Sequence, residues 1–290
     1  MTQPEHAALD LHCHSTASDG LLSPTEMVAR AHAKGITLFA ITDHDTFGGV
    51  DEATTAAEAV GMRLVPAVEI STRYRGRGLH LLAYFRDRAC IPQDFRAFLD
   101  ARTEAREARL LRIAEALERC GVELDLAGVK ARADGAVGRA HVARQLVDQG
   151  VVTTMQEAFN RFIGRDGPAY VSSDEPDVLD VIRRVVAAGG VTSVAHPADA
   201  DLGRVHFEEL EAAGLHGIEV VHGSAGGPRR RKYRKIAKQL GLLKTGGSDW
   251  HGTGPEGLLG GVRPERCIPA EWRAQFVAAL DAAATDPAQA

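Results

Sequence analysis

Short apolar runs alternate with helical patterns almost from the first residue, and that alternation is what most restricts the fold of this chain. Residues 8–11, 38–42, 64–68, 79–85, 191–195, 218–221 and 242–245 are short runs with apolar residues on both sides of the two-residue alternation, as expected of buried parallel strands. Most of the segments between them carry helix punctuation. Ser23, Pro24 and Glu26 offer an N-cap, a first-turn proline and a capping-box partner, and Gly35 offers a stop. Helical patterns over 51–60, 176–188 and 228–240 each end at a glycine. Seven strand-plus-helix units of this kind predict an α/β fold with a parallel sheet, either a distorted (β/α)7 barrel or a doubly wound open sheet.

The rhythm breaks between about 93 and 168, where helical pattern continues without a strand. Leu99, Leu110, Leu111, Ala114 and Leu117 fit a long amphipathic helix, and 140–147 and 155–163 fit two shorter ones. The host is therefore expected to comprise 1–92 and 169–290, with 93–168 an all-helical insertion. The 34 basic and 39 acidic residues leave a net charge of −5, so no broad basic footprint exists for gripping long nucleic acid. Cys13, Cys90, Cys120 and Cys267 form no close pair, which argues against a zinc knuckle or a disulfide framework, and Cys13 reads as core. With neither a signal-peptide pattern nor the roughly 20 apolar residues of a membrane span, a cytoplasmic protein is expected.

Histidine, at 12 residues, is the compositional outlier. His12, His14 and Asp19 follow the first apolar run, His44 follows the second, and Glu69 closes the third. His80 heads the fourth, His196 closes the fifth, and Asp249 and His251 follow the last. By frequency alone an HxH arises about 0.5 times in a chain of this composition, so no single motif carries weight. Their joint placement does, because loops following parallel strands converge on one rim. Imidazole and carboxylate together suit zinc, manganese, iron or nickel. Nine such residues exceed what one ion uses, so two or three divalent ions are expected. Multi-ion sites of this composition clamp and hydrolyse phosphoesters.

The set HCH, Asp19, ITDHD, Glu69, His80, VAHP and SDWH resembles, in order and spacing, the motifs of the polymerase and histidinol phosphatase (PHP) family. The resemblance spans the chain outside the insertion and implies a barrel of seven β/α units with a trinuclear centre. It implies that one ion takes His12, His14, Glu69 and Asp249. A second would share Glu69 and take His80 and His196, and a third would take Asp19, His44 and His251. Glu69 would bridge the two ions between which a nucleophilic hydroxide sits. Manganese is the expected metal, with zinc, iron or magnesium as alternatives. Many members carry histidine at the position of Asp19, which bears on the identity and occupancy of the third site.

Within the insertion, GRAHVARQLVDQG at 138–150 resembles the GRPH-type signature of a subgroup similar to the 3′,5′-nucleotide bisphosphate phosphatases. These convert adenosine 3′,5′-bisphosphate to AMP and phosphate; related members are 5′-to-3′ exonucleases on short RNA. The insertion is expected to cap the metal rim, with Arg139, His141 and Arg144 directed at substrate and Arg139 suited to phosphate by its bidentate fork. An insertion helix salt-bridged to neighbours such as Asp134 explains Arg139 and His141 equally well. His222 lies on the same rim and is a further candidate for substrate contact. Asp43 and Asp45 flank His44 and are candidates to orient it. The basic run from Arg229 to Lys235 reads as a solvated helix face.

The implied partner is a nucleotide, or short RNA, with no membrane or protein partner. A histidinol-phosphate phosphatase and a non-catalytic metal-binding module stand as alternatives, and no side chain stands out as the general acid.

Overall fold

The computed structural model of the chain describes residues 8–133, 135–223, 225–252 and 268–283. Three short parallel strands, β1 (Leu9–Asp10), β2 (Leu38–Phe39) and β3 (Arg63–Leu64), form one sheet. Their crossovers are α1 (Pro24–Ala33) and α2 (Val50–Ala59). The Ser23 hydroxyl accepts from the Glu26 amide at 3.2 Å and the Glu26 carboxylate accepts from the Ser23 amide at 2.8 Å. This reciprocal cap, worth about 1 kcal/mol, fixes where α1 begins.

The second sheet has the order β4 (Ala67–Tyr74), β5 (Arg77–Tyr84), β6 (Val191–Val194), β7 (Gly217–Val221), β8 (Leu243–Gly246). Here the all-parallel expectation fails. β4 and β5 form an antiparallel hairpin, and β5 is also antiparallel to β6. Only Arg75 and Gly76 separate β4 from β5, both at positive φ (48° and 78°), and so tight a reversal leaves no room for a crossover helix. The expected strand at 64–68 is likewise divided, because Pro66 has no amide hydrogen to give to a ladder. β4 then runs on past Glu69 to Tyr74 instead of closing there.

The two sheets touch at both margins. Beyond the end of β2, His44 bridges in parallel to Glu69 on β4, and beyond β1, Cys13 bridges to Trp250 past β8. The Leu11 amide donates to the Gly246 carbonyl at 3.3 Å, and the Asp249 amide to the His12 carbonyl at 2.7 Å. Thus α/β segments place the ends of β1, β2, β6, β7 and β8 around one mouth. The main core lies beneath it, filled by Leu9, Leu38, Leu82, Tyr84, Val194 and Ile218 among others. Each fully buried aliphatic side chain there contributes roughly 1.5–3 kcal/mol. Cys13 is buried in a separate cluster with Met27, Val28, Phe39 and Trp250, on the side of the strand away from the histidines.

A further cluster belongs to the helical segment. Helix α3 (Gln93–Arg119) is 27 residues long, about 40 Å, and takes part in both cores. Phe95 and Leu99 pack in the main core, while Leu110, Ile113 and Leu117 pack with Val129, Val142, Leu146 and Ile163. Leu111, expected on that face, is 49% exposed, since it lies about 100° around the helix from Leu110. After α4 (Leu126–Lys130) comes α5 (Arg139–Asp148), and then α6 (Met155–Ala158), which widens into a five-residue π segment, Phe159–Ile163. The chain rejoins the main core through α7 (Val178–Ala187), capped by the Asp177 carboxylate. Helices α8 (Arg204–Ala212), α9 (Gly227–Leu240) and α10 (Ala270–Ala283) complete the cover. Among the described residues no helix is long and apolar enough to cross a membrane.

Candidate metal centre

Glu69, 1% exposed, stands at the middle of the mouth. Its Oε2 lies 3.3 Å from His12 Nε2, 3.1 Å from His14 Nε2 and 3.2 Å from His44 Nδ1. Its Oε1 lies 2.9 Å from His80 Nδ1 and 3.1 Å from His196 Nε2. Asp249 faces the same histidines from the end of β8, with Oδ1 3.2 Å from both His12 Nε2 and His14 Nε2. On the outer side Asp19 lies 3.3 Å from His251 Nε2, 3.7 Å from His14 Nδ1 and 3.9 Å from His44 Nε2. The nine residues singled out as ligand types therefore form one cluster: five histidines surround Glu69, and Asp249, Asp19 and His251 join through His12, His14 and His44.

The antiparallel β5 explains the one that broke the pattern in sequence. His80 precedes the apolar stretch of its strand, yet a strand running the other way presents its first half at the rim where parallel strands present their ends. Local strain accompanies the assembly. Asp45, His196 and Asp249 have φ of 54°, 27° and 52°, values that β-strand residues avoid and that persist where packing over-determines them.

The donors suit divalent ions. His12 Nε2, His14 Nε2 and His44 Nδ1 are buried and lack a hydrogen-bond partner, although carboxylate oxygens lie just over 3 Å away. Lone pairs of imidazole and carboxylate converging on one space need a cation between them. Without ions, protons take that part. Burial opposes charge on His14, but Asp249 and Glu69 outweigh it and raise its pKa to about 10. His196 is likewise raised to about 10 against the cost of burial, by Asp199 and Glu69. Burial would also favour neutral Glu69, and His12, His80 and His44 overcome it, holding that carboxyl well below the usual range. At His44 burial wins, and the ring is pushed down to about 3.

Two more residues join the cluster. His222 Nε2 is 3.1 Å from Asp249 Oδ2, so this candidate substrate residue sits on a ligand-type carboxylate. Glu219, which sequence inspection passed over, lies 3.0 Å from His12 Nδ1. Its signal was a lone carboxylate in the otherwise apolar strand GIEVV. Asp43 and Asp45 do not orient His44 through hydrogen bonds. Asp43 braces the loop after β1 by accepting from the Ser15 amide and from the Ser15 and Ser18 hydroxyls. Asp45 instead accepts from the Ser71 amide at 3.0 Å and from Arg106 at 2.7 Å.

A cleft of about 380 Å³ runs from Asp19, His44 and His80 to Arg106, Arg109 and Arg139. Arg139 points into it from the first turn of α5, with Phe159 and Tyr170 beneath its guanidinium at 5.6 and 5.8 Å. Burial, and then the charge of Arg139, push the Arg109 pKa down to about 10, so two cations crowd one wall. Arg102, Arg106 and Arg109 recur at i, i+4 and i+7 along α3, a one-face stripe visible in the sequence but easily read as a solvated surface. His141 is buried and accepts from the Gly138 amide at 3.0 Å, capping its own helix. Arg144 lines a separate hollow on the far side of Asp19, with His141 and Arg132. Asp134 and Cys267 lie outside the described residues. The remaining described histidines, His32, His206 and His216, stand apart from the cluster: His32 is exposed and the other two bond to backbone amides.

The PHP domain model matches residues 10–134, a span that holds His12, His14, Asp19, His44, Glu69 and His80. A 5′-3′ exoribonuclease of Haemophilus influenzae is 40% identical over 246 residues, covering 83% of this chain and 89% of the relative. The chain belongs to the PHP family. A 3′,5′-nucleoside bisphosphate phosphatase of Chromobacterium violaceum is 36% identical over 264 residues, covering 87% of this PHP chain and 90% of the relative. Among solved structures, a Bifidobacterium adolescentis chain to which metal-dependent phosphoesterase activity is ascribed superposes with a TM-score of 0.85 at 31% identity. It covers 96% of this chain and 98% of that one. A Chromobacterium violaceum amidohydrolase, solved with bound sulfate and no metal, has a TM-score of 0.81 at 33% identity, covering 98% and 99%. This chain is accordingly a metal-dependent phosphoesterase of the PHP family, and its clustered histidines and carboxylates are the residues available to hold metal.

Proposed function

We propose that this PHP protein hydrolyses the phosphoester on the 3′ side of a nucleotide that also bears a 5′-phosphate, with a nucleoside 3′,5′-bisphosphate as its smallest substrate and the nucleoside 5′-monophosphate as product. The observation that carries the reading is the cleft that Arg139 and Arg109 line together, close enough to feel each other's charge, beside the His44, His80 and Asp19 end of the cluster, with Arg109 anchored on the Val171 carbonyl. Glu175 on the same lining offsets part of this positive charge, and an anion of two or more charges is the ligand that the arginines suit.

In this reading His12, His14, Glu69 and Asp249 hold one ion, Glu69, His80 and His196 a second, and Asp19, His44 and His251 a third. Two to three divalent ions, manganese first, would polarise the reacting phosphoryl group and make a nucleophile available at neutral pH. The chain's own contribution is placement. Glu69 keeps both halves of the centre in register, and its burial excludes bulk water from the side facing the core. Arg139 and Arg109 hold the non-reacting 5′-phosphate, so binding energy remote from the reacting bond orients the 3′-phosphate over the cluster. Residues 93–168 act as the cap that carries these arginines. The host, with β3 and β4 as one interrupted strand and bridges at both sheet margins, is read as a distorted (β/α)7 barrel.

A second reading, stepwise 5′-to-3′ hydrolysis of short RNA, is favoured by the Haemophilus relative and by the line of Arg102 and Arg112 farther along the same cleft. Histidinol phosphate would leave the arginine wall without a partner. A non-catalytic module would have no use for the complete ligand set.

The deciding assay compares phosphate release from adenosine 3′,5′-bisphosphate, 3′-AMP and histidinol phosphate with mononucleotide release from a 5′-phosphorylated oligoribonucleotide, all by manganese-loaded protein. Preference for the bisphosphate is expected. In Arg139→Ala, loss of a charged hydrogen bond worth about 1.5–3 kcal/mol should lower kcat/KM for the bisphosphate by about 10–150-fold. The same variant should lose little on 3′-AMP. Unchanged bisphosphate turnover in Arg139→Ala with the metals still bound would sink the reading, and faster mononucleotide release from RNA would make the nuclease primary.

A further inference from the structure

Glu219 lies on β7, beneath the cluster, and its side chain is sealed from solvent. The β7–β8 ladder shifts register immediately after it, between Glu219 and Val221. Irregularities of that kind re-aim side chains near functional sites. One carboxylate oxygen lies 3.0 Å from His12 Nδ1; the other accepts the backbone N–H of His196 at 2.7 Å. Those two histidines belong to different halves of the centre, one facing Glu69 Oε2 and Asp249, the other facing Glu69 Oε1. A single buried side chain thus braces both.

We infer that Glu219 is a positioning residue for the metal centre, fixing His12 in the tautomer that aims Nε2 at the ion while holding the His196 backbone at its strained φ of 27°. The inference rests on the metal-centre reading above. Imidazole offers one donor and one acceptor when neutral, so a carboxylate that accepts from Nδ1–H leaves the Nε2 lone pair for coordination. His12 Nε2 is the buried nitrogen that lacks a hydrogen-bond partner, as this assignment requires. The His196 amide matters for a different reason. A non-glycine residue at positive φ holds its place only while its surroundings insist on it, and Glu219 supplies the acceptor that does so. Glu219 itself is not among the residues that line the cleft proposed to receive substrate.

The test measures manganese binding to the full chain, by calorimetry and by the EPR signal of unbound ion, for the wild type, Glu219→Gln and Glu219→Asp. Glutamine keeps the shape but can accept at only one of the two positions, and turns an N–H toward either His12 or His196. Loss of such an outer partner weakens metal affinity by about 10–100-fold. At limiting manganese kcat should fall correspondingly, KM for a nucleoside 3′,5′-bisphosphate should hold, and excess manganese should restore kcat. Aspartate keeps the charge but loses reach, and should fall between wild type and Glu219→Gln. Wild-type manganese affinity in both variants would overturn the inference, as would lowered resistance to urea with unchanged affinity, the mark of a purely structural role. Should the wild type itself take up no manganese, the metal-centre reading fails and this inference with it.

Discussion

Replacing Arg106 by alanine should destabilise the protein by about 3 kcal/mol. Its Nε lies 2.7 Å from Asp45 Oδ2, and its second branch donates to the Ser71 hydroxyl at 2.8 Å. Asp45 is fully buried, and Arg106 is 15% exposed where it lines the cleft. Deleting the arginine strands Oδ2, while Oδ1 keeps only the Ser71 amide. An ion pair broken from one side in a protein interior costs about 3–5 kcal/mol, and water entering through the cleft places this case at the lower end. Lysine would retain the charge but lose the fork to Ser71, for a cost of about 1 kcal/mol. In Asp45→Asn combined with Arg106→Met neither partner is left charged, so the double variant should recover about 2 kcal/mol relative to the sum of the singles. Urea denaturation monitored by far-UV circular dichroism gives the value for each of these variants and for the two singles of the cycle. A loss below about 1 kcal/mol in Arg106→Ala, or strict additivity in the cycle, would refute the idea that this pair ties α3 to the host.

Glu69→Gln should cost more than the roughly 10–100-fold typical of an outer partner, in both metal content and turnover, because it faces both halves of the centre; retention of full manganese occupancy would contradict that. Gly247→Ala should disturb the β1–β8 margin, since a methyl group there would stand 2.5 Å from the His12 nitrogen and 2.8 Å from its Cα, and overpacking of this kind costs about 1–3 kcal/mol. An unchanged melting temperature and metal content would disprove it. Manganese uptake at pH 7 should expel protons, because His14 and His196 carry pKa values of about 10 without ions and an ion takes the neutral ring. Affinity should therefore rise with pH, and calorimetric heats should differ between buffers of different ionisation enthalpy; identical heats would argue against it. The same raised values stabilise the metal-free fold fully below about pH 6.5, the ordinary imidazole value, and that stabilisation should fade as pH rises through about 10.

Most of the ligand-type residues were legible because they follow an apolar run where it gives way to a loop, while Glu69 and His80 lie inside β4 and β5 and were placed only by their neighbourhood to such runs. The sense of β5 was not legible in that way. Its apolar run reads the same in either direction, and only the brevity of the Arg75–Gly76 turn distinguishes a hairpin from a crossover. Glu219 escaped because a carboxylate inside an apolar strand has no periodicity to betray it, and its role appears only once His12 and His196 are side by side. The arginines of α3 sit at helical spacing, but whether such a stripe faces water or a cleft depends on what packs across from it. His141 shows the converse: a residue expected to face substrate spends one ring nitrogen on the Gly138 amide, at the start of its own helix.

Helix α3 enters both hydrophobic cores, and this has a mechanical meaning. Arg102, Arg106 and Arg109 ride on the stretch between Leu99, which is anchored in one core, and Leu110, anchored in the other. A hinge that swung the helical segment away like a jaw would have to snap the rod within those three turns. The cleft is better pictured as a fixed gauge, whose width is set by a stiff beam clamped at both ends. Ligands that fit would enter by diffusion along its length, and those too broad would be refused without any moving part.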